Sequence, residues 1–139
     1  MTKSTSSSLL ICLSVYTVAT ALHYIHNAVF LSSYPNIPDW LSRAEVYSGL
    51  VVVIAIGAVG CLLYLFGYRV MGLIVIGAYA ALGFDGLAHY SLAPVSSHTF
   101  MMNLTILSET ITALVLLTVV ISLFSKRVFG DRVGSTHDA

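Results

Sequence analysis

Four apolar runs, each long enough to cross a bilayer, occupy most of this 139-residue chain. A helix needs about 20 mostly apolar residues to cross a hydrocarbon core of ~30 Å, at 1.5 Å per residue. The runs at 9–31, 43–66, 70–90 and 97–125 meet that requirement. In lipid, an isolated segment satisfies its backbone polar groups only by forming a helix. Short connections between the runs predict an all-α, up-down-up-down antiparallel four-helix transmembrane bundle, a single domain over residues 1–139. Only 9% of residues are charged, against about 25% in soluble domains, so the expected solvent is the lipid bilayer. A net charge of zero, with no basic run ahead of the C-terminal tail, argues against a nucleic-acid partner.

The flanking sequence refines this frame. Residues 1–8 are a polar leader, and residues 126–139 form a polar tail expected to be loosely ordered, with His137 solvated. Ala19-Thr20-Ala21 offers an A-x-A site at which residues 1–21 would be cleaved as a signal peptide; apolarity continuing through residues 28–31 favours an uncleaved span. Ser42 and Glu45 have S-x-x-E spacing, which assigns Glu45 to a capping box at the start of segment two. Trp40, in a Pro-containing loop, suits an interfacial anchor. Lys3, Arg69, Lys126, Arg127 and Arg132 fall on one side of the bilayer and Arg43 on the other, which predicts that both termini are cytoplasmic. Glycines on segments two and three would allow a homo-oligomer to pack closely. Cys12 and Cys61 lack CxxC spacing and lie in apolar runs, as small buried hydrophobes do.

Against this apolar background stand His23, His26, Asp85, His89, His98 and Glu109. An ionisable group within a span costs roughly 2.5–3.5 kcal/mol on insertion scales and marks a functional site by default. At about 100° per residue, His23, His26 and Asn27 share a face of segment one, above Tyr16 and Thr20. Asp85 and His89, four residues apart, are expected to stack on segment three. His98 and Glu109, eleven apart, return to one face of segment four, with Met102 and Thr105 between them. Lipid cannot solvate such stripes, so they should converge inside the bundle. Depths of roughly 10–12 Å for His23 and Asp85, and about 16 Å for Glu109, describe a funnel in the outer half of the membrane.

Imidazoles with carboxylates at i,i+3 and i,i+4 spacing are the donor set of a transition-metal site for copper, zinc or iron. His23, Asp85, His89 and His98 are the preferred ligands, followed by His26 and by Glu109, which is deep enough to be a base, a proton relay or a bridging ligand. The stretch Asp85-x3-His89, then a Pro-containing loop and His98, resembles the D-x3-H…H copper motif in the C subunit of copper-dependent membrane monooxygenases. The resemblance is confined to residues 85–98, its interval between histidines is shorter, and it implies copper on those three side chains. A second class is a metal-free isomerase or cyclase acting on a lipid-like or small apolar substrate, with Asp85 or Glu109 as acid and a histidine as base. A third is a b-type haem protein with two axial histidines. The plain structural alternative is interhelical hydrogen bonding, but such bonds average only about 0.6 kcal/mol in membranes, a poor return on six ionisable groups.

Overall fold

The computed structural model describes residues 3–133. Among the described residues, four apolar helical spans long enough to cross a membrane pack as a bundle, the third being the broken stretch Arg69–Leu92. Helix α1 runs Lys3–Val29, α2 Arg43–Leu65 and α3 Arg69–Leu82; after one short turn of helix, α4 (His89–Leu92), the chain returns as α5, Phe100–Val133. Neighbouring helices in sequence are neighbours in space, and α5 closes the ring by packing along both α3 and α1. Large apolar side chains such as Ile11, Val51 and Ile111 project outward, where a soluble protein would present charge. The chain is a four-helix membrane protein.

Local chemistry sets the helix ends. Ser42 Oγ accepts the Glu45 amide at 3.3 Å, and Glu45 Oε2 accepts the Ser42 amide at 2.6 Å, so the expected capping box opens α2. The turn into α3 needs a left-handed residue, which Gly67 supplies at φ 97° without steric cost. At the end of α5, the first part of the tail expected to be loosely ordered from residue 126 is instead helical, because the helix continues to Val133; residues 134–139 lie outside the described residues. Extending an existing helix adds a hydrogen bond per residue without a new nucleus. His137 lies outside the described residues.

The main departure is in segment three, expected to be one helix over 70–90. Its α-helix stops at Leu82, a 3-10 turn covers Asp85–Ala88, and α4 follows. Gly83 caps the end of the α-helix and Gly86 lies within the 3-10 turn, and each glycine costs a helix about 1 kcal/mol relative to alanine. Glycine is needed at 83 for space: a Cβ there would lie 2.5 Å from Ala113 Cβ and 2.7 Å from the Tyr16 ring.

The interior has two zones. Towards the termini it is apolar, built from Leu9, Leu13, Leu73, Ile76, Leu116 and Val120. Tyr16 and Tyr79 close this zone with rings 4.6 Å apart. The Tyr16 hydroxyl donates to the Tyr79 carbonyl at 3.0 Å, and the Tyr79 hydroxyl donates to Thr17 Oγ1 at 3.0 Å. Beyond this layer, in the half farther from the termini, the interior becomes polar.

Candidate functional site

Helix α1 brings Thr20, His23 and Asn27 onto one buried face, and α5 opposes them with Glu109. His23 Nε2 stands 3.7 Å from Glu109 Oε2, with both side chains almost fully buried. The broken third span makes this approach possible. A Cβ on Gly86 would lie 3.3 Å from Glu109 Oε2 and 3.6 Å from His23 Nε2, so bare backbone roofs the pair.

His89 stands beside it. Its ring is 5.6 Å from that of His23, centroid to centroid, and its Nε2 lies 3.1 Å from Asn27 Nδ2. The amide donates and the imidazole accepts when the His89 proton is on Nδ1. His98 continues the row, 6.2 Å from His89. His98 Nδ1 donates a hydrogen bond to the Pro94 carbonyl at 3.1 Å, which leaves Nε2 bare in a buried position. Tyr90 supports the ring edge-on at 5.4 Å and donates its hydroxyl to Asn103 Oδ1 at 2.9 Å. The Asn103 amide in turn donates to the Val95 carbonyl at 3.2 Å.

The remaining sequence-predicted residues sit differently. His26 is only half-buried and faces away from this row, with Nδ1 hydrogen-bonded to the Tyr34 hydroxyl at 2.9 Å. Asp85 is exposed, at the mouth of a cavity rather than stacked on His89. Four residues along an α-helix return to within about 40° of the start, whereas four along a 3-10 helix end about 120° away. The turn at Asp85–Ala88 therefore carries the carboxylate away from the imidazole. Glu45 keeps its cap but also lines that cavity, a second position beyond the capping box expected of it.

Tyr34 carried no site signal in the sequence. It lies in a Ser- and Pro-rich loop, yet it is buried, with its ring 4.8 Å from His89. The 3-10 turn Leu31–Ser33 folds it back under the loop. Burial pushes its phenol up to about 12, so it stays neutral and serves as a wall and hydrogen-bond partner. Asn36, left-handed at φ 56°, donates to the Leu92 carbonyl at 2.8 Å and ties the two distal loops together.

Among the described residues, five buried side-chain polar atoms have no hydrogen-bond partner: Thr20 Oγ1, His23 Nδ1, Asn27 Oδ1, His98 Nε2 and Glu109 Oε2. Natural proteins seldom leave such atoms bare, and a cluster of them points to a site that takes a ligand, an ion or water. A cavity of about 350 Å³ adjoins the cluster, with His23, Asn27, Asp85 and His89 in its wall. Among the described residues, no three His, Cys, Asp or Glu side chains are assembled as a ready metal shell. The five-ligand set His23, His26, Asp85, His89 and His98 is thus not gathered around one point, because His26 is engaged by Tyr34 and Asp85 has rotated to the rim. Cys12 and Cys61 are free thiols, partly buried among apolar neighbours. Comparison of the chain with protein-family models, curated proteins and solved structures finds no match.

Proposed function

We propose that this membrane protein is an acid–base enzyme, of isomerase or cyclase type, acting on a lipid-like substrate at the Glu109–His23 pair. The observation that carries the proposal is a buried carboxylate and imidazole 3.7 Å apart, beside a cavity, with Oε2 and Nδ1 unpartnered. Such a pair can deliver a proton to one atom of a substrate and remove one from another, leaving an isomer and no net redox change. Glu109 would donate as the acid and His23 would accept as the base. Asn27 and Tyr34 position His89 at the side of the site. The Lys and Arg asymmetry supports cytoplasmic termini, so the site would open to the extracytoplasmic side.

The test compares lipid extracts, separated by isomer and read by mass spectrometry, from cells making the wild type, Glu109→Gln or His23→Asn. A species shifted in isomer ratio by the wild type alone is expected. Three identical extracts, with all proteins present in the membrane, overturn the proposal.

One observation favours a second reading, a transition-metal site. His98 is oriented through Nδ1 by a backbone carbonyl with Nε2 bare, as in a histidine held ready for a metal. Two imidazoles on one tetrahedral ion have ring centroids about 5 Å apart, given metal–nitrogen bonds of about 2.0 Å. The observed 5.6 and 6.2 Å are close to that spacing. His23, His89, His98 and Glu109 would then be the ligands for copper, zinc or iron. Metal analysis of protein purified without a histidine tag discriminates: stoichiometric metal in the wild type, lost in His98→Ala and His89→Ala, displaces the metal-free reading.

A further inference from the structure

The cavity beside the pair has its own chemistry. It lies between α1, the first distal loop, the start of α2 and the 3-10 turn at Asp85–Ala88. Two carboxylates, Asp85 and Glu45, are in its wall, and no Lys or Arg is. Trp40 and Tyr24 present aromatic surface there, while Ile37, Leu41, Val46 and Leu92 make much of the remainder apolar. Two of its wall residues, His23 and Asn27, are more than nine-tenths buried, with Nδ1 and Oδ1 unpartnered.

We infer that this cavity binds an organic monocation, a protonated amine carrying an apolar tail. Two carboxylates in a wall that holds no Lys or Arg set the sign of the ligand's charge. Aromatic faces attract a cation through the ring quadrupole, most strongly when the site is desolvated. Asn27 Oδ1 and the Asp85 carboxylate are acceptors, so the fitting head has N–H donors rather than methyl groups on nitrogen. The apolar wall takes the tail, and a volume of about 350 Å³ is at the small end of ligand pockets, which run ≈ 300–1,000 Å³. The two carboxylates are on different elements, so neither alone defines the site. Within the proposed function this names the substrate class, but the inference rests on the cavity wall and not on proton transfer.

Trp40 is the chain's sole tryptophan and lies in the cavity wall, so its fluorescence reports occupancy. Octylammonium, octanol and octanoate are titrated into purified full-length protein in a nonionic detergent. Saturable binding of octylammonium at least ten-fold tighter than octanol, with octanoate weakest, is the expected order. Asp85→Asn and Glu45→Gln should each weaken octylammonium five-fold or more and leave octanol unchanged. Glutamine keeps the capping box, so Glu45→Gln tests charge without disturbing the helix start. Equal binding of octanol and octylammonium, or indifference to both substitutions, overturns the inference. Displacement of octylammonium by micromolar zinc or copper also overturns it, since the cation would then be inorganic. Binding is read without turnover, so failure here leaves the Glu109–His23 proposal standing, and inactivity of Glu109→Gln leaves this one standing.

Discussion

Replacing Glu109 by methionine separates a working carboxylate from a structural one. Glu109 Oε2 is buried without a partner, and the nearest ionisable nitrogen, His23 Nε2, is at 3.7 Å. That separation exceeds the ~3.2 Å limit of a good hydrogen bond, so truncating the carboxylate removes no formed bond to His23. An unsatisfied buried acceptor costs about 1–3 kcal/mol, and more when charged. Methionine is unbranched, of similar length and able to fill an irregular gap. Glu109→Met should therefore stabilise the protein by about 1–3 kcal/mol while abolishing turnover, the usual trade between stability and an active site. A structural ion pair predicts the opposite sign, a loss of about 3–5 kcal/mol on removing one partner. Reversible unfolding in mixed SDS micelles, followed by helical circular dichroism, measures the difference. Destabilisation by 3 kcal/mol or more would refute a functional assignment of the pair, and Glu109→Gln, which alters charge at constant shape, shows how much of any change is electrostatic.

Three further outcomes are expected. Tyr34→Phe should cost about 1 kcal/mol through its lost bond to His26; the raised phenol pKa also makes wild-type stability fall as pH rises from about 10 to about 12, and the variant should lack that share of the fall in a pH-resolved unfolding series. Gly57→Leu should destabilise the bundle by about 1–3 kcal/mol or more through overpacking, because even a Cβ there would lie 2.7 Å from the Tyr79 ring, and thermal unfolding in detergent reads it. Cysteines placed at exposed Ser33 and Ser96 should react with an impermeant thiol reagent from outside intact cells, whereas reaction only after permeabilisation reverses the orientation.

The helices were legible because lipid leaves so few alternatives: length and apolarity alone place four spans. The capping box was legible because S-x-x-E joins two side chains to two specific amides. Burial of His23 opposite Glu109 followed from the same kind of constraint, since a face too polar for lipid must turn inward. Counting at 100° per residue failed for Asp85 and His89 because it assumes unbroken α-helix, and two glycines three residues apart did not announce the 3-10 turn at Asp85–Ala88. Tyr34 was invisible for another reason: a buried loop residue has no periodicity, and its position depends on how the chain folds back after α1. Glu45 shows a single residue holding two positions, cap and cavity wall, of which spacing reveals only the first.

The break in the third span also governs where this fold can tolerate change. On the outward faces of α1, α2 and α5, one large apolar residue can replace another at little cost, since the neighbour is fluid lipid. Gly83 and Gly86 have no such latitude. A side chain at 83 collides with Tyr16 and Ala113, and one at 86 presses on Glu109 and His23. Restoring α-helix there would swing His89 away from Asn27, and the irregular backbone is admissible at that depth only while protein or water encloses it. Sequence variation in this protein should therefore be freest on the lipid side and narrowest at Gly83, Gly86 and His89, so that a survey of functional variants would outline the site without any ligand in hand.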